Sequence, residues 1–224
     1  MTGAVLIVAK APVRGQAKTR LATDVGAEAA ADLAAAALLD VLDQVRAAPA
    51  LLLVAMTGDL AAASRGDEVR AALAGADVFA QRGDDFADRL ANAHADAHAR
   101  VPDGTPVLQV GMDTPQLSGA LLAESLAVAA SADAALGPAE DGGWWGLAVR
   151  DPAWAESLRA VPMSRPDTGV LTRAALERVG ADVRLLPALR DVDTWGDALA
   201  VARTAPESRF AAAVAGLAPG RVAR

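Results

Sequence analysis

Acidic residues follow apolar runs at three places in this 224-residue chain. Residues 107–115 read VLQVGMDTP: a short apolar run stops at Gly111, and Asp113 follows it. Glu140-Asp141-Gly142-Gly143 and Asp191-Val192-Asp193-Thr194 also follow apolar runs further on. A buried strand that ends in an acid delivers it to the strand's carboxyl end, and in open α/β sheets ligands sit in the crevice outside those ends. The three clusters can form one site if the sheet sets their strands side by side. A fourth stretch, 9–21, reads AKAPVRGQAKTRL and places Lys10, Arg14, Lys18 and Arg20 in the loop after the first apolar run. Arginine and lysine neutralise phosphoryl oxygens, and Gly15 gives the backbone room, so this loop suits phosphates. It is not a P-loop, because G-x-x-x-x-G-K-[ST] is absent. The plainer alternative is a solvated basic loop.

Strand-like runs at 4–9, 51–56, 77–81, 107–110, 132–136, 144–149 and 183–186 interleave with helical patterns at 26–48, 67–74, 85–100, 117–130 and 167–179. In the first helical pattern Leu38, Leu39, Val41, Leu42 and Val45 recur at helical spacing, and Pro49 ends it. This alternation predicts βαβ units, a mostly parallel sheet and right-handed crossovers, in one α/β domain over 1–205 with a tail over 206–224. The 53% hydrophobic content is mostly Ala, Leu and Val, with three Phe, four Trp and no Tyr, and suits helices packed closely on a sheet.

Composition also excludes function classes. Without cysteine there is no thiol nucleophile, disulfide framework or Cys-based metal site. A net charge of −7 argues against a nonspecific nucleic-acid surface. No apolar run approaches the roughly 18 residues that cross a bilayer, and the Met-Thr-Gly-Ala start lacks a basic n-region. The expectation is a cytoplasmic protein without a membrane span. His94 and His98 lie four apart on one helical face, but with no third ligand they read as surface or half-buried histidines.

Four motifs in order, AKxPxxGxxKTRL, GxDxP, GPAEDGGWW and LRDVDTxxD, carry a resemblance over residues 5–199 to the DUF2064 family. That family is described as transferase 1 of the radical-SAM/selenodomain neighbourhood and, in part, as arsenosugar-biosynthesis glycosyltransferases. It is similar in turn to the guanylyltransferases of coenzyme F420 biosynthesis and to molybdenum-cofactor-type nucleotidyltransferases. The resemblance implies a single-domain GT-A fold, a Rossmann-type three-layer sandwich that takes a nucleoside triphosphate or nucleotide-sugar donor with Mg2+ or Mn2+, and a small-molecule acceptor. A homodimer is compatible with it.

Residue by residue, the resemblance assigns the donor phosphates to Lys10, Lys18, Thr19 and Arg20, with Gly15 giving the loop room. It assigns the metal to Asp113, Asp191 and Asp193. Magnesium suits carboxylate and phosphate oxygens. As plainer roles, Asp113 could open the next helix, and Asp193 or Thr194 could cap the helix that includes residues 195–202. In 81–90, QRGDDFADRL, Ala87 and Asp88 depart from the family's usual Gly and Glu, while Arg89 is kept; it could reach a donor phosphate or an acceptor acid, or pair with Asp85. Trp144-Trp145 replaces an aromatic pair usually made of Tyr, and at least one indole is expected in the core. Gly142 and Gly143 would let backbone amides approach the substrate. Asp141 is a candidate substrate or metal contact, Ser164 a candidate acceptor contact, and Asp167 or Thr168 an N-cap.

The implied mechanism is group transfer without a protein nucleophile, in which catalysis is positioning and charge stabilisation. Asp113, Asp141 and Lys18 are its catalytic candidates, and Asp113, Asp141 and Asp191 are all candidate general bases. Glycosyl transfer follows the family's usual description; nucleotidyl transfer follows its relation to the guanylyltransferases. A non-catalytic nucleotide-binding scaffold is the third reading, against which the retained Lys18, Arg20, Asp113 and Asp193 count.

Overall fold

A computed structural model of the chain describes residues 3–217. Strands β1 (Ala4–Lys10), β2 (Leu51–Thr57), β3 (Asp77–Ala80), β4 (Val107–Val110), β5 (Ala134–Pro138), β6 (Trp144–Val149) and β7 (Val183–Leu185) form one sheet in the order β3-β2-β1-β4-β6-β5-β7. Only β6 runs against the others, pairing antiparallel with β4 and β5. The central strands are buried on both faces, as their apolar runs require: Leu6 and Ile7, which point to opposite faces of β1, are both fully buried.

Helices α2 (Ala27–Ala47) and α5 (Gly119–Ala129) cover one face of the sheet, while α4 (Phe86–His98), α6 (Pro152–Ala155) and α7 (Thr168–Arg178) cover the other. The short α3 (Gly66–Ala72) packs beside α2. Sequence reading places these elements within a few residues but misses α1 (Thr19–Val25) and α6. Helix α6 spans only four residues, about one turn, and α1 begins inside the charged stretch that reads as a loop.

Helix α2 explains the alanine content. Its Leu38, Leu39, Val41, Leu42 and Val45 face the sheet, while Ala30, Leu33, Ala36 and Ala37 on its outer side are also buried, beneath α1, α8 (Trp195–Thr204) and α9 (Arg209–Gly216). A helix packed on both sides needs small side chains so that its neighbours can approach. The stretch set apart as a tail carries α9 up to Gly216, with Phe210 1% exposed against this layer. Buried Asp40 of α2 fixes the start of α9 by accepting from the amides of Arg209 at 3.0 Å and Phe210 at 2.8 Å. The end of the tail, 218–224, and Met1-Thr2 lie outside the described residues. Among the described residues no helix is long and apolar enough to cross a membrane.

His94 is a correction. It is fully buried in α4, and neither ring nitrogen has a partner among the described residues. Burial, reinforced by neighbouring His98, holds its pKa down to about 3. The folded state therefore keeps His94 neutral, while the unfolded chain protonates it near the ordinary 6.5. Its contribution is fully present above that value and is lost as pH falls toward the folded value, by about 1.4 kcal/mol per pH unit. His94→Leu should flatten the decline in unfolding free energy between about pH 6 and about pH 4, as measured by urea titrations at several pH values. An unchanged slope would contradict this origin.

Candidate active site

The carboxyl ends of β1, β4, β5 and β7 and the amino end of antiparallel β6 share one edge of the sheet, and the four chemical stretches meet there. After β7 the chain continues beside the end of β5, where Leu189 pairs with Ala139. It then crosses toward β4, where the Val192 amide donates to the Asp113 carbonyl at 3.1 Å. This backbone tie sets the acids on either side of Val192 against Asp113: ligand atoms of Asp113, Asp191 and Asp193 all lie within 4.8 Å of one another. None of the three acts as a helix cap, since Ser118 caps α5 and Thr194 caps α8 in a capping box with Asp197.

Lys18 holds the cluster together. Its Nζ lies 2.7 Å from Asp113 Oδ2 and 2.9 Å from Asp193 Oδ1, and Arg20 Nη1 reaches Asp193 Oδ2 at 3.2 Å. Burial works against the Lys18 charge, but Asp113 and then Asp193 outweigh it and hold the ammonium well above its usual range. Lys18 reaches this position with a left-handed backbone, φ 48° and ψ 52°, at the start of α1. Such a conformation costs a non-glycine residue about 1 kcal/mol or more and is common at functional sites.

Negative charge remains in excess. Burial first, then Asp113, Asp141 and Asp193, push the Asp191 pKa up to about 6. Clustered carboxyl oxygens whose mutual repulsion one lysine and one exposed arginine leave uncancelled form a donor set suited to a hard divalent cation. The residues present therefore fit the metal site expected of them.

The phosphate-loop residues take distinct places. A recess of about 300 Å³ is lined by Lys10, Lys18, Thr19, Arg20, Asp113 and Asp193 among others. Lys10 Nζ donates to the Gln16 carbonyl at 3.2 Å, across the turn that Gly15 makes with φ 75°. Arg14 is exposed beyond the recess.

Beside the recess opens a cleft of about 550 Å³, bordered by Lys10, Asp113, Asp141, Asp191 and Asp193 and running out to Arg89 and Trp144. Arg89 makes no ion pair among the described residues; its guanidinium carbon sits 5.6 Å from the centre of the Phe86 ring, and Asp85 instead caps α4 through the Asp88 amide. Asp141 Oδ1 accepts from the Gly143 amide at 2.8 Å, leaving Oδ2 open to the cleft. Trp144 lines the cleft, whereas Trp145 is 2% exposed, with Nε1 donating to the Pro187 carbonyl at 2.9 Å. Ser164, with φ 60°, also borders it, while Thr168 is buried and donates to the Pro162 carbonyl.

Gly142 and Gly143 do their work through packing. The Gly142 amide already donates to the Ala139 carbonyl, and that of Gly143 to Asp141. A Cβ on Gly142, at φ 92°, would lie 1.8 Å from the Pro166 carbonyl oxygen. The turn is thus pressed against the start of α7, whose Gly169 amide donates to the Gly142 carbonyl at 2.8 Å.

Two glutamines escaped sequence reasoning. Gln81 ties the ends of β1 and β2 by donating to the carbonyls of Ala9 at 2.7 Å and Ala55 at 2.9 Å. Gln109 interrupts the apolar run VLQV, and that interruption was the available signal.

The sequence profile of the DUF2064 family, described as uncharacterized protein conserved in bacteria, matches residues 38–165, more than half of the chain. The chain belongs to that family. This DUF2064 protein has no significant match among curated proteins. A Desulfovibrio desulfuricans protein of known structure, given provisionally as a nucleotide-diphospho-sugar transferase, is 27% identical, with 96% of this chain and 94% of that one covered and a TM-score of 0.83. CMP:2-keto-3-deoxy-manno-octonic acid synthetase complexed with CTP is 16% identical with a TM-score of 0.58, covering 91% of this chain and 98% of that one. Rv0371c of Mycobacterium tuberculosis, solved with manganese, is 23% identical with a TM-score of 0.52, covering 89% and 97%. The last two share the fold.

Gly142→Ala should lose about 3 kcal/mol of unfolding free energy, because the clash with Pro166 adds to the positive φ. Gly15→Ala, also at positive φ but with nothing within 4 Å of the new Cβ, should lose only about 1 kcal/mol. Chemical denaturation compares the two, and equal losses would contradict the packing role.

Proposed function

We propose that this DUF2064 protein is a metal-dependent transferase that uses a nucleotide-sugar donor to glycosylate a small-molecule acceptor. The observation that carries this reading is the convergence of Asp113, Asp191 and Asp193 on one another, with Lys18 bridging Asp113 and Asp193, where the cation-lined recess meets the cleft. The likeness to the Desulfovibrio desulfuricans protein supports the choice of donor.

Lys10, Lys18 and Arg20 bind the donor's diphosphate in the recess, and Thr19 lines it with a hydroxyl. Asp113, Asp191 and Asp193 hold Mg2+ or Mn2+, which when bound would offset the charge growing on the departing nucleoside diphosphate. The sugar projects into the cleft. There an acceptor hydroxyl oxygen bonds to the anomeric carbon as the bond from that carbon to the diphosphate breaks. The hydroxyl proton goes to Asp141 Oδ2, the carboxylate at this edge left free when the other three hold the cation. Most of the rate then comes from positioning and fixed charge.

A nucleotidyltransferase is the second reading, favoured by the concentration of cations in the recess and by the fold shared with the CTP-bound synthetase. In it the acceptor oxygen bonds to the α-phosphorus and pyrophosphate leaves. Thermal shift with magnesium separates the two. Nucleotide-sugars should stabilise the protein, by about 2.7 kcal/mol at a hundredfold excess over Kd, and nucleoside triphosphates should not. Asp113→Asn should abolish the shift. Stabilisation by triphosphates alone would favour nucleotidyl transfer, and no response to any donor would overturn both.

A further inference from the structure

The far half of the cleft holds polar groups that the donor site does not use. Gln109 is 1% exposed on the cleft floor, and its Nε2 donates to the Leu90 carbonyl at 3.1 Å. That bond fixes the orientation of the amide, so its Oε1 is the atom left without a partner. A buried acceptor left unpaired costs free energy, and a ligand that donates to it recovers that cost.

Directly before Leu90 in the helix, at the cleft wall, stands Arg89, whose guanidinium makes no ion pair among the described residues. Nearby basic side chains are already engaged: Arg159 with Asp88 and Glu156, and Arg165 with Asp167. Phe86 is 43% exposed beneath the Arg89 guanidinium, and Trp144 presents a half-buried indole to the same cleft. A free guanidinium selects an anionic group, aromatic faces favour a flat or ring-shaped body, and an unpaired amide oxygen selects a hydroxyl or amine.

We propose that Arg89, Gln109, Phe86 and Trp144 form the acceptor subsite, and that it takes a small hydroxylated anion, a ring or short chain bearing a carboxylate or phosphate. Its anionic group lies on Arg89, its hydroxyl donates to Gln109 Oε1, and its body rests against Trp144. Calling this ligand the acceptor rests on the function proposed above; the binding site itself does not.

The test is calorimetric titration of the whole protein, without nucleotide or metal, with glucuronate, glucose 6-phosphate and neutral glucose, with tryptophan emission followed in parallel. At least one anion should bind saturably and more tightly than glucose, and which of the two binds tells carboxylate from phosphate. Arg89→Met should weaken the anion by about tenfold or more and bring it to the level of glucose. Gln109→Met should weaken it by a similar factor without changing any charge. The emission change on binding should vanish in Trp144→Phe. Saturable binding of neither anion, or equal affinity in wild type and Arg89→Met, would overturn the proposal. So would a loss on Arg20→Met with none on Arg89→Met, which would place the anion in the donor recess. Failure of donor binding with this subsite intact would overturn only the assigned reaction.

Discussion

The ion pairs of Lys18 with Asp113 and Asp193 are the constraint on which the site depends. The two acids lie 80 positions apart in sequence, and each comes from a different strand end. Held this close without a counter-charge they would repel, and Asp191 beside them would add to that repulsion. Lys18 offsets it from a side chain only 14% exposed, where a charge interacts strongly with its partners. Removing one partner from such a group costs more than the pair contributes, because the remaining charge is left buried and uncompensated. The left-handed backbone at Lys18 fits the same picture: a local cost is tolerated because a longer-range electrostatic gain over-determines the geometry.

The fold serves this arrangement. Reversal of β6 brings its start, with Trp144, to the edge where β1, β4 and β5 end. The turn through Gly142 and Gly143 is locked between that start and α7, which holds Asp141 at the cleft. On the outer side, Asp40 docks α9 over α2 and thickens the layer behind the recess, which is lined in part by Ala34 of α2.

Much of this was legible in the sequence, for reasons that particular residues show. The central strands are buried on both faces, so they read as apolar runs, broken in β4 by Gln109, and the acids that follow them stand out against them. Lys10, Lys18 and Arg20 were visible as a charge cluster because the flanking strand and helix are so apolar. Other features depend on tertiary contacts that no local pattern encodes. The burial of His94 is set by what packs around α4, and the roles of Gly142 and Gly143 by Pro166 and Gly169, which close on the turn from another element. The freedom of Arg89 follows from Asp85 being used as a helix cap, a choice between two local interactions that sequence spacing leaves equal.

The central claim is that three carboxylates make a cation site, coupled through Lys18 to a donor site. Manganese titration followed by electron paramagnetic resonance, with and without UDP, GDP or CDP, measures that coupling directly. The account predicts one strong manganese site, tightened by at least one of these nucleoside diphosphates, and loss of both the site and the coupling in Asp193→Asn. Manganese binding unaffected by Asp193→Asn, or indifferent to all three, would contradict it.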